Sequence, residues 1–197
     1  MSDDASIAKP VIPFSFNFRT SMKRGLAMLL IPVFILVIII FSRSFYFLEY
    51  FHVIAGSAWT GMDLVMGLFF SFVMRGLSNP ERLEVSKRLI PTMLFFMPSI
   101  ASVTVTAGLY TAGSMHISIY SPYFIAAGII VLILIIQGFA LFLPNELRIF
   151  MEIIHGGKNV EKIVRLTMLN LKLSLSQLVF QIAIIVVMAH FATGYAL

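Results

Sequence analysis

The chain has 197 residues, of which 59% are hydrophobic and only 12% are charged. Soluble domains carry about 25% charged residues, so this composition excludes an ordinary soluble protein and indicates an integral membrane protein. There is no cysteine, which excludes disulfides, thiolate metal sites and thiol redox chemistry. Basic residues beside hydrophobic segments account for the net charge of +5, so we expect no nucleic-acid partner.

Five segments are apolar over the roughly 20 residues that an α-helix needs to cross a bilayer. We place them at about 25–41, 47–74, 89–110, 122–143 and 173–190. No small-residue cleavage site follows the first segment, so we expect it to be retained rather than removed as a signal peptide.

The sequence therefore predicts an all-α fold, an integral membrane bundle of five transmembrane helices. We expect a single transmembrane domain over residues 25–197, with residues 1–24 forming a cytoplasmic tail. The expected location is the cell membrane, as a multi-pass protein whose constant partner is the lipid bilayer.

Basic residues are concentrated in three regions of the chain. They precede the first segment, separate the second from the third, and separate the fourth from the fifth, whereas the remaining loops contain only Arg43. Lys and Arg are enriched in cytoplasmic loops. We therefore expect a cytoplasmic N-terminus and a C-terminus outside.

The second segment contains a stripe of polar and aromatic residues. Glu49, His52, Gly56, Trp59 and Asp63 follow one another at spacings of 3, 4, 3 and 4 residues. These spacings place them on one face of an α-helix. At about 1.5 Å per residue, the histidine lies near the outer edge of the hydrocarbon and the aspartate near its midplane. Ionisable groups at such depths indicate function.

His190 of the fifth segment is predicted to lie at the same depth as His52. Imidazoles from two helices at one level can bind the iron of haem b from opposite faces, with Gly56 and Trp59 forming the pocket. The alternative is that His52 is an interfacial anchor and Trp59 a packing residue. His116, between the third and fourth segments, is the reserve metal ligand.

Asp63 needs a partner, a proton or water at the predicted midplane, because a bare carboxylate is costly there. Candidates at similar depth are Thr104 and Thr106 of the third segment, Gln137 of the fourth and Gln181 of the fifth. The set predicts either a proton path or a polar network that only fixes helix packing.

A longer pattern includes the same histidine. An H-x6-W-x-G motif runs from His52 to Gly61, an Asn-Pro-Glu-Arg sequence occupies 79–82, and Thr-Ala-Gly-Leu-Tyr ends the third segment at 106–110. Over about residues 47–145 this pattern resembles the copper-resistance D type of membrane protein. That type is part of a superfamily of small haem-b membrane proteins, which includes a bacterial protoporphyrinogen oxidase and the membrane part of some urate oxidases.

The resemblance implies a b-type cytochrome with His52 as a haem ligand. The third and fourth segments contain no histidine, so His190 is chosen as the second ligand from depth alone. The expected function is electron transfer, as a possible subunit of a respiratory or redox complex, with quinone or other redox subunits as partners. The alternatives are copper or other cation transport or resistance without haem, a porphyrinogen-oxidising membrane enzyme, and a structural subunit. The Met115–His116 pair favours copper weakly. The sequence leaves open whether the chain is an enzyme.

Overall fold

The structure is a computed structural model that describes residues 18–193, and every regular element in that range is helical. Residues 1–17, most of the predicted tail, lie outside the described residues, as do residues 194–197. The part of the tail that is described belongs to the first helix, which begins at Phe18.

Residues 18–193 form five helical rods, called the first to fifth spans below, and each is long and apolar enough to cross a membrane. This confirms the predicted all-α architecture and gives the chain the organisation of a multi-pass membrane protein. Two of the rods contain a short π-helical segment. The helices run over Phe18–Ser42; Phe45–Leu64, π-helical Val65–Phe70 and Ser71–Gly76; Asn79–Ser114; Pro122–Ile136, π-helical Gln137–Phe142 and Leu143–Ile154; and Val160–Thr193.

Three spans extend ten or more residues beyond their predicted apolar segments at one end. The third begins at Asn79, the fourth continues to Ile154 and the fifth begins at Val160. These extensions carry many of the basic residues, and we call this end of the bundle the basic end. Their inner faces pack into one buried cluster, which holds the helices together beyond the apolar segments: Ile90, Leu94, Ile149, Phe150, Ile153, Ile163 and Leu166.

The start of the third span has a clear local cause. Glu81 Oε2 accepts hydrogen bonds from the backbone N–H and the hydroxyl of Ser78, each at 2.7 Å. Pro80 lies in the first turn, where its missing N–H costs nothing. This is the pairing of a capping box, so the helix begins well before its apolar part.

The third and fifth spans organise the packing. The first and second spans pack along the third, and the second, third and fourth all contact the fifth. The fourth span packs against the third mainly through its last part, Leu143–Ile154. Nearer the opposite end, the third and fourth spans therefore stand apart and leave a cleft between them.

Candidate functional site

One face of the fifth span is polar and buried. Thr167, Asn170, Ser174, Gln177 and Gln181 are each less than a tenth exposed. Their spacings of 3, 4, 3 and 4 residues put them on one side of the helix. We call these five residues the polar face. Because buried polar groups in a membrane protein need internal partners, neighbouring spans must supply them.

Three neighbouring spans meet the polar face. At the basic end, the hydroxyls of Ser86 and Thr167 lie 3.1 Å apart. Further along, the amide of Asn145 donates to Asn170 at 3.0 Å. Deepest in the bundle, Gln181 Nε2 donates to Oδ2 of Asp63 at 2.9 Å. These three separate contacts follow one another along the fifth span, from the basic end to the buried carboxyl of Asp63.

Asp63 is fully buried, with none of its surface exposed. The side chain of Ser174 also lies close to its carboxyl group. Oδ1 of Asp63 and Oε1 of Gln181 are buried acceptors for which residues 18–193 supply no donor. Buried acceptors of this kind are stabilised by a proton, a water molecule or a cation. The carboxyl is therefore placed to hold a small positive species.

A second buried carboxyl belongs to Glu146 of the fourth span, which is 5% exposed. It lines a small cavity together with Asn170 and Ser174 of the polar face. Glu146 is absent from the predicted site residues, because it follows the apolar part of the fourth segment. The signal that indicates it is the polar face itself, since five polar residues at helical spacing require polar partners on neighbouring helices.

The two π-helical segments flank these carboxyls. Val65–Phe70 begins two residues after Asp63, and Gln137–Phe142 ends four residues before Glu146. Both segments contact the fifth span. Short π-helical insertions in α-helices occur frequently at functional sites. Their positions beside both acids support the assignment of this region as the candidate site.

The cleft between the third and fourth spans contains a cavity of about 240 Å³. Its walls are mostly apolar, and the side chains of Glu146 and Gln177 contribute polar groups. Ile135 and Phe139 line the cavity and are also exposed on the membrane-facing surface. The cavity therefore opens on the outer surface of the bundle, which faces lipid when the spans cross a membrane. We call it the lipid-side cavity.

A smaller cavity of about 30 Å³ lies on the other side of Glu146. Asn170 and Ser174 of the polar face line it, together with Met66 and Met93. This volume is sufficient for about two water molecules, since one needs roughly 10–15 Å³. Glu146, Met97 and Phe142 line both cavities, so the side chain of Glu146 lies where the two cavities adjoin.

His52 is held against the third span. Its Nδ1 lies 2.9 Å from the carbonyl oxygen of Thr104. A Cβ atom at Gly108 would lie 2.7 Å from Cε1 of the imidazole, so only glycine leaves room for the ring. Gly56, one turn further along, also faces the third span: a Cβ there would lie 3.4 Å from Cγ2 of Thr104.

The other two predicted metal ligands lie in different surroundings. His190 stacks on Tyr123 of the fourth span, with ring centroids 3.4 Å apart and an interplanar angle of 14°. His116 is exposed in the turn after the third span, with a φ of 54°. Within residues 18–193, no cluster of three or more His, Asp or Glu side chains suitable for a metal ion is formed. The structure thus gives His52 and His190 separate neighbours.

Trp59 is 6% exposed and belongs to a buried apolar cluster of the first four spans. It also lines the lipid-side cavity. Trp59 therefore packs in the core and also borders this cavity, whereas its predicted place in a haem pocket stays a prediction. This cluster separates the polar groups around Asp63 from the end of the bundle opposite the basic end: Leu36, Leu48, Ala55, Trp59, Ile100, Val103, Ala107 and Leu134.

Of the groups predicted to surround Asp63, Gln181 contacts it directly. Gln137 instead donates to Ser176 at 3.1 Å, and the Thr104 hydroxyl donates to the carbonyl of Ile100 in its own helix at 2.7 Å. The apolar environment favours such local bonds for threonine. Thr106 lines the lipid-side cavity.

No protein-family model, curated protein or solved structure matches this chain. Over the described residues, fold and site together define a five-span helical membrane protein with two buried carboxyl groups. The resemblance to the copper-resistance D type stays a prediction that rests on its sequence motif.

Proposed function

We propose that this chain is a membrane transport protein that binds and releases protons at Asp63 and Glu146 in exchange for another cation. The observation that carries the proposal is the placement of two buried carboxyls on separate spans beside the polar face of the fifth span. Asp63 accepts a hydrogen bond from Gln181, and Glu146 lines a cavity with Asn170 and Ser174. Intramembrane acids of this kind are costly, and they commonly mark ion pathways and proton relays.

The polar face supplies the route for protons. Thr167 and Gln181 are separated by 14 residues, or about 21 Å of helix. Between them lie Asn170 and Ser174, which border the cavity of about 30 Å³. Side-chain hydroxyls and amides with space for water form a path along which a proton moves by successive hydrogen bonds. The path ends at Asp63, whose Oδ1 accepts the proton.

The two acids act as a coupled pair. Two carboxylates that interact in a low-dielectric interior do not ionise independently, because each charge raises the cost of the other. A proton on Asp63 therefore makes ionisation of Glu146 easier, and the reverse also holds. Exchange of one positive species for another at this pair needs no additional charged residue.

The side of the membrane from which protons reach the polar face follows from the orientation that we propose for the bundle. With the basic end in the cytoplasm, as the positive-inside rule predicts, protons on the polar face exchange with the cytoplasm. The N-terminus is then cytoplasmic and the C-terminus outside. The apolar cluster around Trp59 closes the site on the outer side, so release outward requires these side chains to separate.

The test is proton flux out of liposomes that contain the purified chain and an internal pH-sensitive dye. An acidic liposome interior drives the flux, with sodium, potassium and tetramethylammonium ions outside as the cations that can exchange with protons. We expect Asp63→Asn to reduce the flux at least tenfold, because the amide preserves the size of the side chain but cannot carry the proton. Glu49→Gln, an exposed position on the same span, is the matched control and should behave as wild type. Equal flux through wild type and Asp63→Asn, or wild-type flux no greater than in empty liposomes, would contradict the proposal.

A second candidate function is electron transfer through haem b, and the geometry of His52 favours it. A carbonyl oxygen only accepts hydrogen bonds, so Nδ1 of the imidazole carries the proton and Nε2 keeps its lone pair. Metal-ligating histidines are commonly oriented in this way by a backbone carbonyl. His190 would be the second ligand, and quinone or a redox subunit the partner.

Absorption spectra of the oxidised and reduced protein test this candidate. Haem b gives a Soret band and an α-band, which His52→Ala should remove and His190→Ala should alter. His155→Ala, in the turn at the basic end, is the control. A colourless protein that contains copper would favour the metal-transport alternative over haem.

A further inference from the structure

We propose that the cavity between the third and fourth spans binds a lipophilic organic cation, and that the positive charge of this ligand pairs with Glu146. The ligand class is a small aromatic amine or quaternary ammonium ion that enters from the membrane. This inference rests on the proposed function, because it names the cation that exchanges with protons at the same pair of acids.

The walls of the cavity suit an aromatic ligand body. Trp59, Met97, Leu134 and Phe142 provide apolar and aromatic surface. Such surface favours a hydrophobic ligand, and aromatic faces also attract a cation placed over them. The volume of about 240 Å³ lies just below the roughly 300–1,000 Å³ of typical drug-sized pockets. The fit is therefore to a ligand of one or two fused rings.

Glu146 determines the sign of the charge that the cavity presents to a ligand. No lysine or arginine appears among the described residues that line it. The ion pairs within residues 18–193 join Lys87 to Glu84 and Lys162 to Glu152, so they leave Glu146 without a basic partner. A buried carboxyl in this situation binds a proton or an external cation. The amide of Gln177 adds a polar contact for the ligand head group.

Access is from the bilayer. Phe139 is 53% exposed on the lipid-facing surface, and Ser102 and Ile135 at the same rim are exposed as well. Lipophilic cations concentrate in membranes, so a lateral opening presents the site with its ligand at high local concentration. The π-helical segment Gln137–Phe142 contributes Gly138, Phe139 and Phe142 to the wall. Entry thus occurs beside the π-helical segment of the fourth span.

The ligand and the proton compete for one carboxyl. Binding of the cation to Glu146 displaces a proton, and protonation displaces the cation. By linkage, the affinity for the ligand falls by up to about tenfold for each unit that the pH is lowered while the carboxyl takes up its proton. This mutual exclusion couples cation movement to proton movement in opposite directions.

Calorimetric titration of the full chain in lipid nanodiscs tests the proposal, with 1-methylquinolinium as the probe and empty nanodiscs as the blank. We expect binding to wild type, with release of a proton detected by comparing buffers of different ionisation enthalpy. Glu146→Gln should weaken binding at least tenfold, whereas Glu161→Gln, an exposed acid of the fifth span, should leave it unchanged. The neutral analogue 1-methylnaphthalene should not displace the cation. Equal binding to Glu146→Gln, or displacement by the neutral analogue at the same concentration, would overturn the inference.

A second measurement uses the wild-type protein only, in case Glu146→Gln does not fold. Dicyclohexylcarbodiimide labels buried protonated carboxyls, and mass spectrometry locates the label. We expect 1-methylquinolinium to reduce labelling at Glu146 at least fivefold, and labelling that is unchanged by the cation would refute the site. Cation binding without proton flux in liposomes would overturn the proposed function alone. Proton flux without cation binding would overturn this inference alone.

Discussion

The contact between His52 and Gly108 gives the sharpest test of the packing. In Gly108→Ala, the new Cβ would lie 2.7 Å from Cε1 and 3.2 Å from Nδ1 of the imidazole. Carbon atoms in contact normally lie about 3.5–4.0 Å apart, so the ring must move by roughly 1 Å. That movement breaks the 2.9 Å hydrogen bond from Nδ1 to the Thr104 carbonyl.

The expected loss of stability combines two terms. Overpacking a helix contact costs about 1–3 kcal/mol, and the lost hydrogen bond about 0.5–1.5 kcal/mol. We therefore expect Gly108→Ala to lower the free energy of unfolding by about 2–4 kcal/mol, measured by unfolding the protein in mixed micelles with a denaturing detergent. Gly113→Ala is the matched control on the same helix, because a Cβ at that position meets no atom within 4 Å.

A double-mutant cycle isolates the cause. In a His52→Ala background the ring is absent, so Gly108→Ala should cost close to nothing, and the coupling energy should be about 2 kcal/mol or more. If haem is bound, Gly108→Ala should also shift its absorption bands. A Gly108→Ala protein that is as stable as wild type would refute this explanation. An equal loss of unfolding free energy in both backgrounds would refute it as well.

Two other predictions concern the polar site and the orientation. Gln181→Leu should lower the free energy of unfolding by about 1–3 kcal/mol, since it removes the donor to the buried Asp63 carboxyl; a similar loss in an Asp63→Leu background would show that this bond is not the cause. The absence of native cysteine permits single-cysteine labelling with a membrane-impermeant maleimide. Ser118→Cys should be labelled from outside intact cells and Ser78→Cys only after lysis, and the reverse pattern would contradict the orientation.

The five spans were predictable because crossing a bilayer imposes a minimum apolar length on each helix. The ends of the spans were not. The fifth span begins 13 residues before Leu173, the predicted start, because Ile163 and Leu166 pack into the bundle although charged residues surround them. A search for apolar runs detects contact with lipid, whereas these turns are stabilised by contact with other helices.

The candidate site was only partly predictable from the sequence. Asp63 and Gln181 were identified because polar groups within apolar segments are conspicuous, and the structure joins them. Glu146 was missed because its burial depends on the packing of its helix against the third and fifth spans. Helical spacing indicates the face on which a residue lies but not the neighbour that it meets, as the stacking of His190 on Tyr123 illustrates.

The cleft between the third and fourth spans has a mechanical consequence. The second and third spans both pack along the fifth, whereas the fourth span meets the third mainly near the basic end. Away from that end, the fourth span is held mainly by the fifth. A small displacement of the fourth span alone therefore changes the width of the cleft. The lateral pressure of the lipid acyl chains then acts directly on the width of the cleft. Membrane thickness and acyl-chain packing therefore influence the surroundings of Asp63 and Glu146.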